Sequence, residues 1–330
     1  MTYEVLLIPI VAFITTFMIL PFIMKYMKKI GHVGRDEHKP DKPEIPESGG
    51  VAIVLGIIIA SITAILLYPD LWKYFSALSM SVLIAGIIGI IDDFKVLGPK
   101  IKPIIVTLAG LPIILLGAYI PYLRLPFIGN ARLFIVYPLI ILIAMSLGTN
   151  TVNMLDVYNG AMPGTTLIVI ITLLIISILR NSDIGVILSL ILLGSIGAYL
   201  YYNKYPAKAF AGDVGSLSVG AGLVSIAIMA RLEFILVVAM LPFILNSYEI
   251  IFSIGGLKER RQIKERPTIV LDNGTIMASS SKSAPITLAR LVLAKGPLKE
   301  NEIVKCFIIL TILSCILAII SELLIVGGFM

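Results

Sequence analysis

Apolar runs of close to twenty residues recur along the whole of this 330-residue chain. About 20 apolar residues are what a helix needs to cross the hydrocarbon core of a bilayer. Charged residues make up only 14% of the chain, against roughly 25% in soluble domains. Since a lipid-exposed backbone must satisfy its own hydrogen bonds, the sequence predicts an all-α, polytopic membrane protein that forms one integral membrane domain over residues 1–330.

Ten of these runs qualify as transmembrane helices, with turn residues between them. Their predicted bounds are 3–24, 50–68, 73–91, 103–121, 133–149, 164–180, 184–202, 214–230, 234–254 and 303–327. The first run has neither the basic flank nor the small-residue cleavage site of a signal peptide, so it is predicted to be a retained helix.

The positions of lysine and arginine predict how these helices are oriented. With ten spans, the loops at 25–49, 92–102, 203–213 and 255–302 lie on one side and hold 20 of the 26 basic residues. Basic residues accumulate in cytosolic loops, so these loops and loop 150–163 are predicted to be cytosolic, with both termini outside. The net charge of +6 is then a property of the loops. No nucleic-acid partner is expected, because the aromatic residues are scattered among apolar ones.

Polar segments stand out at the predicted cytosolic boundaries. The residues concerned are Glu47, Asp92, Asp93, Lys102, Asn150, Asn153, Asp156, Asn159, Asp213, Arg260, Arg261 and Arg266. Each has a simple structural explanation: Asp213 as a helix N-cap, the asparagines as turn residues, the basic run as charge attracted to anionic lipid. Together they indicate a functional site, because ionisable groups at membrane boundaries are costly and usually functional.

The residue types indicate which chemistry this site performs. Carboxylates at the C-terminal end of a helix, such as Asp92 and Asp93, face the negative end of its dipole and need a positive partner. Hard oxygen ligands beside lysine and arginine suit Mg²⁺, with Mn²⁺ as the alternative, and a polyanion such as a diphosphate. The two histidines, His32 and His38, share one loop and make no zinc site, and neither a phosphate-binding loop nor a nucleophile elbow is present.

The chain resembles the polyprenyl-phosphate N-acetylhexosamine-1-phosphate transferases of glycosyltransferase family 4, which are ten-span membrane enzymes. The matching segments are Asp92-Asp93 with Lys102, Asn150 with Asn153 and Asn159-Gly160, and Phe210-x-Gly212-Asp213. Four segments of this chain are most similar to the archaeal and eukaryotic dolichyl-phosphate branch of the family. They are Ile45-Pro46-Glu47-Ser48, Asn159-Gly160, Tyr201-x-Asn203-x-Tyr205-Pro206 and Lys295-Gly296-Pro297-Leu298. The triple-histidine motif of the bacterial muramoyl-pentapeptide enzyme is absent.

The resemblance implies a role for each of these residues. Asp92, Asp93, Lys102 and Asp213 are expected to be catalytic, with Asn153 and Asp213 holding Mg²⁺, Lys102 on the donor diphosphate and the adjacent aspartates at the attacking phosphate. The expected substrate-binding residues are Glu47, Asn150, Asp156, Asn159, Arg260, Arg261 and Arg266. Among them, Asn159 is expected to contact uracil, Asp156 to line the nucleotide pocket, and the arginines to clamp the diphosphate or the sugar.

The implied reaction transfers N-acetylglucosamine-1-phosphate, or a related sugar phosphate, from a UDP-sugar to dolichyl or polyprenyl phosphate and releases UMP. It would be the first step of lipid-linked oligosaccharide synthesis for protein N-glycosylation, at the cytosolic face of the cell membrane. The alternatives are a relative that uses another UDP-amino-sugar for a cell-surface polymer, a cation-coupled transporter and a lipid-binding scaffold. The transporter is disfavoured because the acids lie at one boundary and no internal repeat is evident. A homodimer is left open.

Overall fold

The structure is a computed structural model that describes residues 3–126, 129–258, 263 and 265–327. In chain order its α-helices are α1 (Leu7–Lys29), α2 (Gly50–Leu67), α3 (Trp72–Phe94), α4 (Ile101–Ile105), α5 (Leu111–Leu115), α6 (Tyr137–Leu155), α7 (Ala161–Leu179), α8 (Asp183–Asn203), α9 (Gly212–Met229), α10 (Glu233–Ala239), α11 (Leu241–Ser253), α12 (Leu288–Val292) and α13 (Glu300–Gly327). Eight of these, α1, α2, α3, α6, α7, α8, α9 and α13, are long and apolar enough to cross a bilayer. The prediction of a polytopic helical membrane protein is confirmed.

Two of the ten predicted spans differ from a single straight helix. The predicted span 103–121 is a shorter apolar segment, Ile101–Leu115, in which a 3₁₀ turn separates α4 from α5. Pro103 and Pro112 lie within this segment, and proline removes a helical hydrogen bond and crowds the preceding turn. The segment therefore falls short of the length of the other spans.

The other exception is the predicted span 234–254, which the structure divides into α10 and α11 with a bend of 67°. Pro242 lies in the first turn of α11, where proline is compatible with starting a helix but not with continuing one. The described residues therefore contain eight candidate spans, or nine if the bent pair crosses as one. The count of ten and the outward orientation of both termini stay predictions.

Three two-stranded antiparallel hairpins lie in the connections. They are β1 (Val33–Arg35) with β2 (Glu44–Pro46), β3 (Tyr122–Leu125) with β4 (Gly129–Arg132), and β5 (Thr268–Val270) with β6 (Ile276–Ala278). In loop 255–302 the short helix α12 is followed by a 3₁₀ turn at Leu293–Lys295. Thr287 starts α12 by accepting a hydrogen bond from the Arg290 amide at 3.1 Å, as an N-cap residue does.

Helix α9 lies at the centre of the bundle, and glycines bring its neighbours close to it. A Cβ atom added to Gly50 of α2 would lie 2.1 Å from Gly215 Cα, and one added to Gly89 of α3 would lie 2.4 Å from Val214 Cα. A Cβ on Gly220 would likewise lie 2.5 Å from Thr149 Cα of α6. Small residues permit such close packing of membrane helices. These contacts place the ends of α3 and α6 beside the start of α9.

Replacing Gly89 by alanine is expected to lower the thermal stability of the protein in detergent. The new methyl group would overlap the Val214 backbone, and overpacking of this kind costs about 1–3 kcal/mol. The matched control is Gly197→Ala in α8, where the added Cβ would have Phe13 Cδ2 as its neighbour at 4.0 Å. The control should unfold at or above the wild-type temperature, because alanine favours helices more than glycine does. Equal melting temperatures for the two variants would contradict the close-packing argument.

Candidate active site

Lys102 lies at the centre of the polar cluster that the sequence predicts. Its Nζ atom is 2.9 Å from Asp92 Oδ2, 2.5 Å from Asp213 Oδ2 and 3.3 Å from Asn153 Oδ1. Asp92 is in the last turn of α3, Asn153 in the last turn of α6 and Asp213 in the first turn of α9, while Lys102 belongs to α4. Three separate stretches of sequence therefore deliver oxygen atoms to one ammonium group, as predicted for residues on one face of the membrane.

Asp213 and Asn153 are held together directly as well as through the lysine. Asn153 Nδ2 donates to Asp213 Oδ1 at 2.5 Å and to Ser216 Oγ at 2.8 Å. Asp213 is not the N-cap of α9, because the helix begins at Gly212 and Ala211 is the capping residue. The simple capping explanation for Asp213 is therefore wrong. Its carboxylate is directed to partners on other helices.

The charge of Lys102 is maintained by its neighbours. Burial lowers its pKa, but the negative charges of Asp213 and Asp92 outweigh burial and raise the pKa above the ordinary lysine value. The ammonium group is consequently retained at neutral pH. Three carboxylates, those of Asp92, Asp93 and Asp213, accompany this single buried cation, so the cluster as a whole favours a further positive charge.

The donor set fits the Mg²⁺ that the resemblance implies. Asp92, Asp213 and Asn153 present hard oxygen atoms around a common point, and the Lys102 ammonium group already lies among them. Mg²⁺ is typically held by one or two carboxylates, with the remaining positions filled by water and substrate phosphates. Asp213 and Asn153 are suited to hold it in that manner, and the bound metal would supply positive charge to a diphosphate.

Asp93, the neighbour of Asp92, faces the start of α9 instead of Lys102. Its Oδ1 accepts a hydrogen bond from the Asp213 amide at 2.7 Å, and its Oδ2 accepts one from Ser48 Oγ at 2.7 Å. Gly212, at φ +67°, leaves room for this contact, since a Cβ there would lie 2.4 Å from Asp93 Oδ2. The two adjacent acids thus have different environments. Asp92 faces the lysine, and Asp93 caps α9 from a neighbouring helix.

Ser48 and His32 extend this arrangement and were not among the predicted site residues. Ser48 is fully buried and has a positive φ of 55°, a conformation that is uncommon outside glycine. His32 Nε2 lies 3.0 Å from Ser48 Oγ, and the imidazole stacks on Phe94 at 4.3 Å. Because the single Ser48 hydroxyl proton is donated to Asp93, Ser48 Oγ accepts from His32 Nε2–H. Ser48 could have been found from the sequence, because it ends the Ile45–Ser48 segment that carries the resemblance. Nothing in the sequence points to His32.

The predicted nucleotide residues lie beyond the C-terminal end of α6. Asp156 immediately follows that helix, and burial raises its pKa to about 7, with the negative charges of Asp213 and Asp93 adding to the effect. The residue as a whole is half-buried. Asn150 instead donates from Nδ2 to the Ser146 carbonyl of its own helix at 2.8 Å. This bond holds the Asn150 side chain along α6.

Asn159 is almost fully buried between two distant parts of the chain. Its Nδ2 donates to Asp36 Oδ2 at 2.9 Å, and its backbone amide donates to Glu300 Oε1 at 2.8 Å. Asp36, His38 and Glu300 place one ligand atom each within 4.8 Å of one another, but the Lys39 ammonium group already pairs with Asp36 there. Asp36 and Glu300 were not predicted, because nothing in the local sequence links them to Asn159.

The remaining predicted residues lie towards the surface or outside the described chain. Glu47 Oε2 is 3.7 Å from His32 Nε2. Arg266 is exposed and donates to Glu37 Oε2 at 2.9 Å, and the arginine, followed by Lys42, lowers the pKa of Glu37 to about 2. Arg260 and Arg261 lie outside the described residues. In this structure Arg266 therefore connects loop 255–302 to loop 25–49.

Known proteins are similar to this chain over nearly its whole length. The family model described as glycosyl transferase family 4 matches residues 75–231, the stretch that contains Asp92, Lys102, Asn153 and Asp213. A protein of Methanocaldococcus jannaschii, provisionally named a glycosyltransferase, is 31% identical over 317 residues, which are 96% of this chain and 96% of that protein.

Two further relatives carry more specific names. A protein of Saccharolobus solfataricus, provisionally named a UDP-N-acetylglucosamine–dolichyl-phosphate N-acetylglucosaminephosphotransferase, is 29% identical over 97% of this chain and 96% of its own length. The phospho-N-acetylmuramoyl-pentapeptide-transferase of Bacillus licheniformis is 28% identical over 72% of this chain and 78% of its own. With one relative above 30% identity and nearly complete coverage, the chain belongs to glycosyl transferase family 4.

Proposed function

We propose that this protein transfers N-acetylglucosamine-1-phosphate from its UDP-sugar to dolichyl or another polyprenyl phosphate. The observation that carries the proposal is the cluster in which Lys102 contacts oxygen atoms of Asp92, Asn153 and Asp213. Mixed carboxylate, amide and ammonium groups of this kind suit a metal-bound diphosphate. The archaeal relative named for this activity favours the dolichyl acceptor, and the bacterial relative shows that members of the family carry different substrate names.

In the proposed reaction, a phosphate oxygen of the lipid attacks the β-phosphorus of the UDP-sugar. A bond forms between that oxygen and the β-phosphorus, the bond from the β-phosphorus to the bridging oxygen breaks, and UMP leaves with the bridging oxygen. A phosphate monoester carries a charge of about −1.5 to −2 at neutral pH, so the attacking group needs little deprotonation. Bringing two anions together is then the main difficulty, which charge neutralisation and positioning address.

The residues of the chain divide this task between them. Lys102 supplies a permanent positive charge next to the position of the diphosphate, and Asp213 and Asn153 would hold Mg²⁺, which supplies further positive charge when bound. Asp92 also pairs with Lys102 and is positioned to orient that ammonium group towards the reacting phosphates. Asn159 and Asp156 would contact the nucleotide, with Arg260, Arg261 or Arg266 binding the diphosphate or the sugar.

The site is proposed to lie at the cytosolic membrane surface, because the basic loops are concentrated on that side. A polyprenyl tail is insoluble in water, so its phosphate is accessible where it emerges from the bilayer. A product diphosphate lipid carrying one N-acetylglucosamine would serve as the first intermediate of lipid-linked oligosaccharide synthesis for protein N-glycosylation. The same chemistry with another UDP-amino-sugar is an outcome of the test below.

Purified protein in detergent is expected to release UMP from UDP-N-acetylglucosamine only when both polyprenyl phosphate and Mg²⁺ are present. UMP would be measured by a coupled assay, and the lipid product by mass spectrometry after incubation with a mixture of UDP-amino-sugars. Omission of the lipid, and separately addition of a chelator, are the controls. A lipid product with a different sugar would change the assigned donor. No UMP and no diphosphate lipid with any donor would overturn the transferase proposal.

A further inference from the structure

The side-chain amide of Asn159 is fixed in one orientation. Its Nδ2 lies 2.9 Å from Asp36 Oδ2, and both residues are buried, at 5% and 2% exposure. An ionised carboxylate only accepts hydrogen bonds, whereas an asparagine amide can present either its NH₂ group or its oxygen. Turning the amide over would place Asn159 Oδ1 against the carboxylate. The Nδ2 atom must therefore face Asp36.

The Asp36 carboxylate is itself held in place. Its Oδ2 also pairs with the Lys39 ammonium group, and its Oδ1 accepts a hydrogen bond from the His38 amide at 3.3 Å. The contacts with Lys39 and His38 thus immobilise the acceptor that fixes the Asn159 amide.

The backbone around Asn159 is fixed on two sides. The Asn159 amide donates to Glu300 Oε1 at 2.8 Å, and the Gly160 amide donates to Asn203 Oδ1 at 3.0 Å. These bonds come from α13 and α8, far away in the sequence. Polar groups held by bonds to several elements are well suited to recognise a ligand, because little reorganisation is needed on binding.

The remaining atom of the amide, Asn159 Oδ1, is left to accept a hydrogen bond from a ligand. Within the described part of the chain no donor bonds to it, and it is not among the fully enclosed atoms that lack a partner. Among the described residues, Asn159 Oδ1 is therefore not fully enclosed. One hydrogen of Nδ2 is also left over, since the amide carries two and Asp36 takes one. The Asn159 amide thus has an acceptor next to a donor, in an order set by Asp36.

We propose that Asp36 is a positioning residue that makes this site select uracil over cytosine by fixing the polarity of the Asn159 amide. Uracil offers a donor at N3 and an acceptor at O4, which match Oδ1 and the remaining Nδ2 hydrogen. Cytosine offers an acceptor at N3 and a donor at N4, so its edge would meet the fixed amide with like groups opposed. This inference rests on the proposed nucleotide-sugar donor. It names the hydrogen-bonding groups of the base, N3 and O4, by which the site would recognise uracil.

The test is binding of UMP and CMP to the full-length protein in detergent with Mg²⁺, measured by calorimetry. Wild-type protein is expected to bind UMP at least about tenfold more tightly than CMP, the discrimination that an unpaired buried polar group produces. Asp36→Asn should reduce this ratio to about threefold or less, because an asparagine at position 36 accommodates either orientation of the Asn159 amide. Glu300→Gln is the matched control, since a glutamine oxygen still accepts from the Asn159 backbone, and its UMP-to-CMP ratio should stay at the wild-type value.

An exchange of the two groups provides a second arm that does not depend on Asp36→Asn alone. Asn159→Asp places two carboxylates together and should weaken UMP binding by about tenfold or more. The double variant Asp36→Asn/Asn159→Asp restores a donor facing an acceptor and should recover at least about threefold of that loss. The role of Asp36 would be overturned if the wild type selects UMP and Asp36→Asn leaves the UMP-to-CMP ratio unchanged. It would also be overturned if the double variant recovers none of the lost UMP affinity. Either result would leave the donor proposal intact. Binding of neither nucleotide to the wild type would overturn both.

Discussion

Asp213→Asn is expected to lower the transfer rate by about two to three orders of magnitude, the loss seen when one electrostatic group of an active site is removed. The Asp213 carboxylate accepts hydrogen bonds from Lys102 and from Asn153. An asparagine would retain the shape of the side chain but remove the charge that offsets Lys102 and that would hold Mg²⁺. UMP release would be measured at saturating substrates over a Mg²⁺ titration. The variant should need a higher Mg²⁺ concentration for its residual activity.

Two other variants separate charge from geometry at this position. Ser216→Ala removes the hydroxyl that accepts from Asn153 Nδ2 at 2.8 Å but leaves the charges unchanged, so a loss of about tenfold or less is expected. Lys102→Ala should also lower the rate strongly, but with a lower Mg²⁺ requirement, because the ammonium group that competes for the same oxygen atoms is gone. An Asp213→Asn enzyme within about threefold of the wild-type rate would remove Asp213 from the proposed machinery.

The sequence predicts those residues of this site that are polar and lie at the ends of apolar helices. Asp92, Asn153 and Asp213 lie at the ends of helices that must share one membrane boundary, so their approach to Lys102 follows from topology and spacing. The glycines that make the approach close, such as Gly89 and Gly215, are visible in the sequence as small residues. Their exact partners are not, because any face of a helix rich in small residues allows close packing.

The part that is not predictable depends on contacts between distant polar loops. Asp36, Asn159 and Glu300 meet through bonds that span 123 and 141 residues of sequence, and no periodic pattern relates such positions. The predicted span 103–121 is shorter and interrupted in the structure for a different reason. Its composition is apolar throughout, but its prolines prevent one continuous helix, and hydropathy alone does not distinguish a long helix from a broken one.

The division of labour between Asp92 and Asp93 is open to the same kind of test, with a large effect expected on stability. Asp93→Ala should destabilise the protein by about 1–3 kcal/mol for each buried donor left unpaired. The donors concerned are the Asp213 amide and the Ser48 hydroxyl, both 2.7 Å from the carboxylate. The transfer rate should fall as well, because the first turn of α9, which carries Asp213, loses the group that positions it.

Asp92→Ala is the matched variant at the adjacent position. Asp92 pairs with Lys102 and accepts a hydrogen bond from the Leu97 amide at the start of a loop. Its removal leaves Lys102 still paired with Asp213, so we expect the rate to fall while the melting temperature stays within a few degrees of the wild type. Thermal unfolding in detergent and UMP release, measured on the same preparations, would give both quantities for each variant.

Ser48→Ala distinguishes the positioning role of Asp93 from direct contact with substrate. It removes the hydroxyl between His32 and Asp93 and should therefore shift stability and rate in the same direction as Asp93→Ala, by a smaller amount. If Asp93 only positioned the first turn of α9, its substitution would lower kcat without a selective rise in the KM for the lipid phosphate. A wild-type melting temperature for Asp93→Ala, together with a raised KM for the lipid, would show instead that Asp93 contacts the acceptor.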